Sequence, residues 1–313
     1  MGDVSPRATG PAGAQFEAKV GTHYALALLS DTEPFGLPGA IVKRIEFQRD
    51  GLNHPLDDVI VKGVTRLGEH RCLEVQAKRS IKFTESDDNF SSVVEKIVEA
   101  RKIDPSRRFA VAIERTTGTI ENGVQEALEL AQQTVDATSF LKLLEVEGRY
   151  NGYMRNFVGA MRTHLEACGV TDDNSLYDIL RSFSVLTFDY ARPNSIAEHH
   201  DRLRARQLTS SKSGADPYDP LFGLVQRADA IGGELSRENL IEKLSDLGVT
   251  VGPVPQLATA RHHIEEMSQH ALNDIGLTVN NCRLPREKLR RNLEELLQEA
   301  ETQCGVVEIS GHS

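Results

Sequence analysis

Leu56-Asp57-Asp58-Val59-Ile60-Val61 and, further along, Leu73-Glu74-Val75-Gln76-Ala77-Lys78 are the stretches that decide how this chain reads. Both are short and rich in β-branched and apolar residues, and both read as strands. The first opens on a pair of carboxylates. The second alternates apolar with polar, so Glu74, Gln76 and Lys78 share one face. An Asp, an oxygen ligand and a lysine brought together suit metal-assisted cleavage of a phosphodiester. Two oxygens hold a hard divalent cation. The cation polarises the phosphate and lowers the pKa of a bound water. The lysine orients that water or offsets charge growing on the phosphate.

The surroundings of this pair predict a small mixed sheet flanked by helices. Apolar residues at Phe16, Val20, Tyr24, Ala27 and Leu28 keep helical spacing from about Ala12 to Ser30. A Pro/Gly-marked loop, 32–39, leads to a strand over Ile41–Gln48, and Asp50-Gly51 reads as a turn. Strands are expected over Asp58–Val64 and Arg71–Lys78, then a polar loop and an amphipathic helix over Val93–Lys102. Phe109–Glu114 is a continuous apolar run of the buried-strand type, followed by a helix over Asn122–Gln133.

After about residue 138 the texture changes to helical patterns: Phe140–Cys168 broken at Gly148 and Gly152, and Ser175–Tyr190 with a short extended piece. Residues 209–219 read as a loop. Ser236 is placed to cap a helix over Arg237–Leu247 that Gly248 ends. Helices are also expected after Pro253 and Pro255 and from Pro285 onward. The last residues, Gly305–Ser310 followed by Gly311-His312-Ser313, look like a strand feeding the first residues of a phosphate-binding P-loop. The expected organisation is a disordered start (1–11), a catalytic domain (12–138), an all-helical linker or regulatory module (139–304) and a strand into a truncated P-loop (305–313). The chain would then be the N-terminal piece of a longer NTPase, with ATP bound only in the missing part.

Composition excludes several classes. The chain has 313 residues, 39% hydrophobic and 26% charged, an ordinary soluble composition with length for two domains. No run approaches the ~18 apolar residues of a membrane span, and the Gly/Pro/Ala-rich start has no apolar signal core. Cytoplasm and no membrane partner are expected. Cys72, Cys168, Cys282 and Cys304 lie far apart without a CxxC, so neither a disulfide framework nor a zinc module is suggested. His199-His200 and His262-His263 lack a completing ligand spacing, and no Gly-x-Ser-x-Gly supports acyl transfer. The net charge of -10 speaks to solubility and steering, and leaves room for a local basic groove. Arg79 and Lys82, directly after the second strand, are the candidate DNA contacts. Arg101-Lys102 with Arg107-Arg108 form a second basic cluster that reads as solvated charge.

Glu17 on a first helix, Asp58 at the head of a strand and Gln76-x-Lys78 on the next resemble the PD-(D/E)xK nuclease superfamily. The variant is the one with Gln in the D/E position, as in Mrr-like restriction nucleases. Spacing and order over about residues 12–135 also resemble the effector endonuclease domain of bacterial CBASS antiphage systems, which occurs fused ahead of STAND-type NTPases. The resemblance implies a restriction-endonuclease-like α/β fold. It implies Asp58 as principal ligand of Mg2+ or Mn2+, Gln76 as a second oxygen ligand and the Ala77 carbonyl as a third. Lys78 would orient the attacking water, and Glu17 would hold a metal-bound water. It implies double-stranded DNA as substrate, homo-oligomerisation on activation, and a viral protein as trigger acting through the missing C-terminal parts.

Gln in place of an acid removes one negative charge, which Asp57 or Glu74 could restore. Between Asp57 and Asp58, faces alternate in a strand, so one of the pair is expected to point with the site, and Asp58 is favoured. Each residue taken alone has a plain reading: a turn Asp, a solvent-facing Gln and Lys, a solvated helix Glu. The competing function is a catalytically silent scaffold that keeps the nuclease fold.

Overall fold

The computed structural model describes residues 11–49, 53–146, 152–192, 195–211 and 214–252, all within the unit Met1–Pro255. Of the expected disordered start only Pro11 is described, and it opens the first helix. The helices expected after Pro253 and from Pro285, the terminal strand with its Gly-x-Ser, and His262-His263 lie outside the described residues.

Helix α1 (Pro11–Ser30) buries Phe16, Val20, Tyr24 and Leu26 to Leu29. A helix apolar on every side must be covered on every side. The sheet lies against one face of α1, and helices α7 (Ile196–Leu208), α8 (Tyr218–Ala230) and α9 (Arg237–Asp246) against the others. Gly21 makes this possible: a Cβ there would stand 2.7 Å from the Phe47 ring and 2.9 Å from Val225. The space four residues after Glu17 is thus filled by packing partners.

Strands β1 (Ala40–Phe47), β2 (Val59–Thr65) and β3 (His70–Lys78) form an antiparallel meander. Helix α2 (Asp88–Ile103), capped by the Asp87 carboxylate, carries the chain over to β4 (Arg108–Ile113), which lies parallel to β3. Phe109 to Ile113 are all buried, as their unbroken apolar run predicts. Leu73, Val75 and Ala77 of β3 face the α1 layer. Phe109, Val111 and Ile113 of β4 face a second core with α2.

An all-helical module over 139–304 is not what the described residues form. Strand β5 (Phe183–Thr187) lies parallel to β4, and β7 (Glu234–Ser236) lies antiparallel to β1. The sheet has six strands in the order β5-β4-β3-β2-β1-β7, and β6 (Thr209–Ser211) pairs with β8 (Val249–Val251) in a separate ladder. The sheet therefore does not close at residue 138. The reason is length: three to five residues between long amphipathic helices show no period-two signal. A π-helical turn, Ile120–Gln125, leads into α3 (Glu126–Gln133). With α2, α4 (Ala137–Glu145), α5 (Gly152–Ala167) and α6 (Asp173–Ser182), it covers the second face. Helix α9 starts as expected, with Ser236 and Asn239 in a reciprocal capping box, and Gly248 follows it at φ +76. Among the described residues no helix is long and apolar enough to cross a membrane.

Candidate active site

In the β2–β3 pair Val59 stands opposite Val75, so the residue before β2 meets the carboxyl end of β3. Asp58 is that residue. Its Oδ2 accepts the Ala77 backbone N–H at 2.7 Å and the Gln76 Nε2 at 2.5 Å. Glu17 approaches from α1 and is 3% exposed; Asp57, Asp58 and Gln76 are buried too. A Gln on the solvent side of an antiparallel sheet would be open to water. Here polar groups are buried at the end of a sheet, which is costly unless each is held.

The electrostatics are those of crowded carboxylates. Burial pushes the Asp58 carboxyl up, the nearby charges of Glu17 and Asp57 push it further, and the Ala77 N–H and the Lys78 ammonium pull it back, leaving it at about 7. Lys78, the last residue of β3, thus supplies positive charge to the same point from the strand face that Gln76 shares.

Lys96 of α2 joins the group. Its Nζ lies 3.1 Å from Gln76 Oε1 and 3.3 Å from Asp57 Oδ1. Asp57 therefore faces the same locus as Asp58. The alternation expected for the pair fails because β2 begins only at Val59, so both acids sit in the bend that precedes the strand. Lys96 is the residue the sequence did not offer. Among Glu95, Glu99 and Arg101 it reads as one more charged helix residue, and only the α2 crossover brings it to β3.

Glu74 shares the face but is otherwise engaged. It is fully buried, accepts from Arg107 Nη1 at 2.5 Å and from the Leu56 N–H at 3.3 Å, and lies 2.8 Å from His54 Nδ1. Arg107 also donates to the Asn53 carbonyl at 2.6 Å. This network fastens the segment that ends in Asp57-Asp58. His54, Cys72 and Glu74 hold ligand atoms within 4.8 Å of one another, the one such His/Cys/Asp/Glu group of three among the described residues. The Arg107 guanidinium already supplies its cation, and burial pushes the Cys72 thiol up to about 12, so it stays protonated. Glu17, Asp57 and Asp58 reach one another electrostatically without being gathered as tightly.

Of the expected DNA contacts, half-exposed Arg79 donates to Glu114 at 2.7 Å, while the Lys82 side chain is exposed. The second basic cluster is largely fixed into the protein: Arg107 on Glu74, Arg108 on the Arg181 carbonyl, and Arg101 on Ser182 and Asp178. His199 and His200 are exposed on α7.

The donor set can be tested against a divalent ion. Asp58, Asp57 and Glu17 offer carboxylate oxygens and Gln76 an amide oxygen, all hard donors of the kind Mg2+ and Mn2+ select. Glu17 and Asp57 both push the Asp58 carboxyl up, to about 7, a repulsion that a divalent cation would relieve. The residues fit the ion.

Comparison with known proteins is remote. No family model matches the chain, and no curated protein does. Among solved structures it is similar to a Cap4 SAVED/CARF-domain containing receptor of Moraxella osloensis: 14% identity, TM-score 0.41, 75% of this chain and 47% of that one. It is also similar to the Acinetobacter baumannii Cap4 SAVED/CARF-domain containing receptor, at 14% identity and TM-score 0.44 over 76% and 48% of the chains. The same receptor with the cyclic trinucleotide 3'3'3'-cAAA gives 14% identity and TM-score 0.43 over 76% and 49%. The chain spans about half the length of these receptors.

Proposed function

We propose that this chain carries a metal-dependent DNA endonuclease site. The observation that supports it is the convergence of Asp58, Gln76 and Lys78 at the adjoining ends of β2 and β3, with Glu17 entering from α1. Asp58 and Gln76 would hold Mg2+ or Mn2+, with Asp57 supplying the negative charge that Gln lacks relative to an acid, and Glu17 would hold a water of the ion. The chemistry a bound ion supplies is polarisation of the phosphodiester and a lowered pKa for water. Lys78 orients the attacking water and offsets charge on the phosphate; the Ala77 N–H and Gln76 amide keep Asp58 aimed at the site. Duplex DNA as substrate, action as an antiphage effector, and activation by oligomerisation through a further NTPase part rest on the sequence resemblance.

A second reading has its own observation. Lys96 places an internal cation against Gln76 Oε1 and Asp57 Oδ1, where a silent scaffold would need no metal. Calorimetry separates the two: Mn2+ binding heat that disappears in Asp58→Ala supports the nuclease, and its absence supports the scaffold. The decisive assay incubates the chain with plasmid and linear DNA in Mg2+ or Mn2+ beside Asp58→Ala and Lys78→Ala. Cleavage should fall about a hundredfold or more in each variant and stop with chelator. If the chain is inactive even when forced into dimers or tetramers, the nuclease reading fails.

A further inference from the structure

A cleft of about 800 Å3 opens between the β3–α2 loop, the residues after β4, and the first turns of α5. We propose that it receives one unstacked nucleotide of a DNA strand, an inference that rests on the nuclease reading above. The cleft lies past the carboxyl ends of the parallel strands β3 and β4, where Lys78 pairs in register with Ile113. Ligands of parallel sheets bind beyond those ends, and here the same end carries Asp58. The volume lies in the range of small-molecule sites, far above a packing defect.

The lining has the chemistry of a nucleotide. Its floor is apolar: Phe83 and Phe157 are buried and meet edge to face at 5.9 Å. On its wall Tyr153 is 53% exposed, a large ring left open to solvent, and a base stacks on such a ring. Asn156, exposed beside it, offers an amide to a base edge. Among the described residues the Lys82 ammonium, the Tyr153 hydroxyl and the Asn156 amide have no hydrogen-bond or ion-pair partner. Three polar groups without partners around an apolar floor are free to take a ligand.

The charge selects a strand over a free nucleotide. Lys82 and Arg155 against Glu85 leave one net positive charge in the lining, matching the single charge of a phosphodiester. A polyphosphate would carry several, with Glu85 opposing it. A base in this cleft must leave its stack, as bases do in enzymes that draw them from a helix. Junctions, mismatches and single-stranded stretches, whose bases unstack at least cost, are the favoured substrates.

The test uses the full chain in Mg2+, with Lys78→Ala in every sample to prevent cutting, and a fluorescent single-stranded oligonucleotide carrying 2-aminopurine. Tyr153→Ala should weaken binding about tenfold and abolish the change in 2-aminopurine fluorescence. Tyr153→Phe should keep both. Free dTMP and AMP should compete only at far higher concentration than unlabelled oligonucleotide. Unchanged binding in Tyr153→Ala, or no oligonucleotide binding, overturns the proposal; competition by mononucleotides at the oligonucleotide's own concentration assigns the cleft to a free nucleotide instead. If the chain cuts plasmid while Tyr153→Ala binds normally, the cleft assignment falls and the nuclease stands. If no DNA is cut but binding depends on Tyr153, the reverse holds.

Discussion

Asp58 shows what a buried carboxyl at the proposed site costs its fold. Its carboxyl ordinarily titrates near 3.8 and is pushed up to about 7 here, so folding favours the protonated form. Between these values the folded chain holds a proton that the unfolded chain has released. The contribution of Asp58 to stability is therefore present in acid and lost as pH rises through about 7. Asp58→Asn keeps the shape and an acceptor for the Ala77 N–H without the charge. In chelator at about pH 8 this variant should be more stable than the native chain, on the order of 1–3 kcal/mol, and the gain should shrink toward about pH 5. Thermal unfolding at the two pH values measures it; a gain that is absent or independent of pH refutes the assignment. The same titration predicts that Mn2+ binds the native chain more tightly above pH 7 than below, because the ion must displace the proton.

At the scale of elements, the bend before β2 is held from behind. Arg107 donates to Glu74 and to the Asn53 carbonyl, and Glu74 in turn holds His54 and the Leu56 N–H. The turn that precedes β4 is thus tied to the segment ending in Asp57-Asp58 through one buried ion pair. Arg107→Met leaves the Glu74 carboxylate buried without its cation, a loss of about 3–5 kcal/mol. Hydrogen exchange of residues 53–58 should accelerate in the variant, and Mn2+ affinity should fall although Arg107 touches no proposed ligand of the ion. Replacing both partners by Leu should recover stability but not the Mn2+ affinity; recovery of both would make the pair mere packing. The legibility of the site follows the same geometry. The proximity of Asp58, Gln76 and Lys78 is readable because local sequence carries it: a residue just ahead of a strand and a period-two face. Lys96 and the partners of Glu74 were not, since their sequence neighbours describe an ordinary charged helix and a basic turn. Their roles arise only when α2 and β4 fold back across β3. Strands β1 to β4 were long enough to show their period or their apolar run, while β5 to β8 were not.

At the scale of the whole molecule, the question is where the folded unit that holds the candidate site ends. The sequence suggests a boundary near residue 138, but the described sheet continues to β5 on one edge and β7 on the other. Without β5, the hydrogen-bonding edge of β4 would be bare, with Phe109 and Val111 losing the cover of α5 and α6. Without β7 to β8 and helices α7 to α9, helix α1 would present Phe16, Val20 and Tyr24 to water, and α1 carries Glu17. An exposed apolar edge of this kind pairs or aggregates. A chain cut after residue 138 should therefore fail to unfold cooperatively by near-ultraviolet circular dichroism and should show no Asp58-dependent Mn2+ binding. A chain cut after Pro255 should keep both, because every described element that covers the two faces of the sheet lies before it. A cooperative transition in the shorter chain would restore the boundary at 138 and make the later strands additions to a nuclease domain already complete.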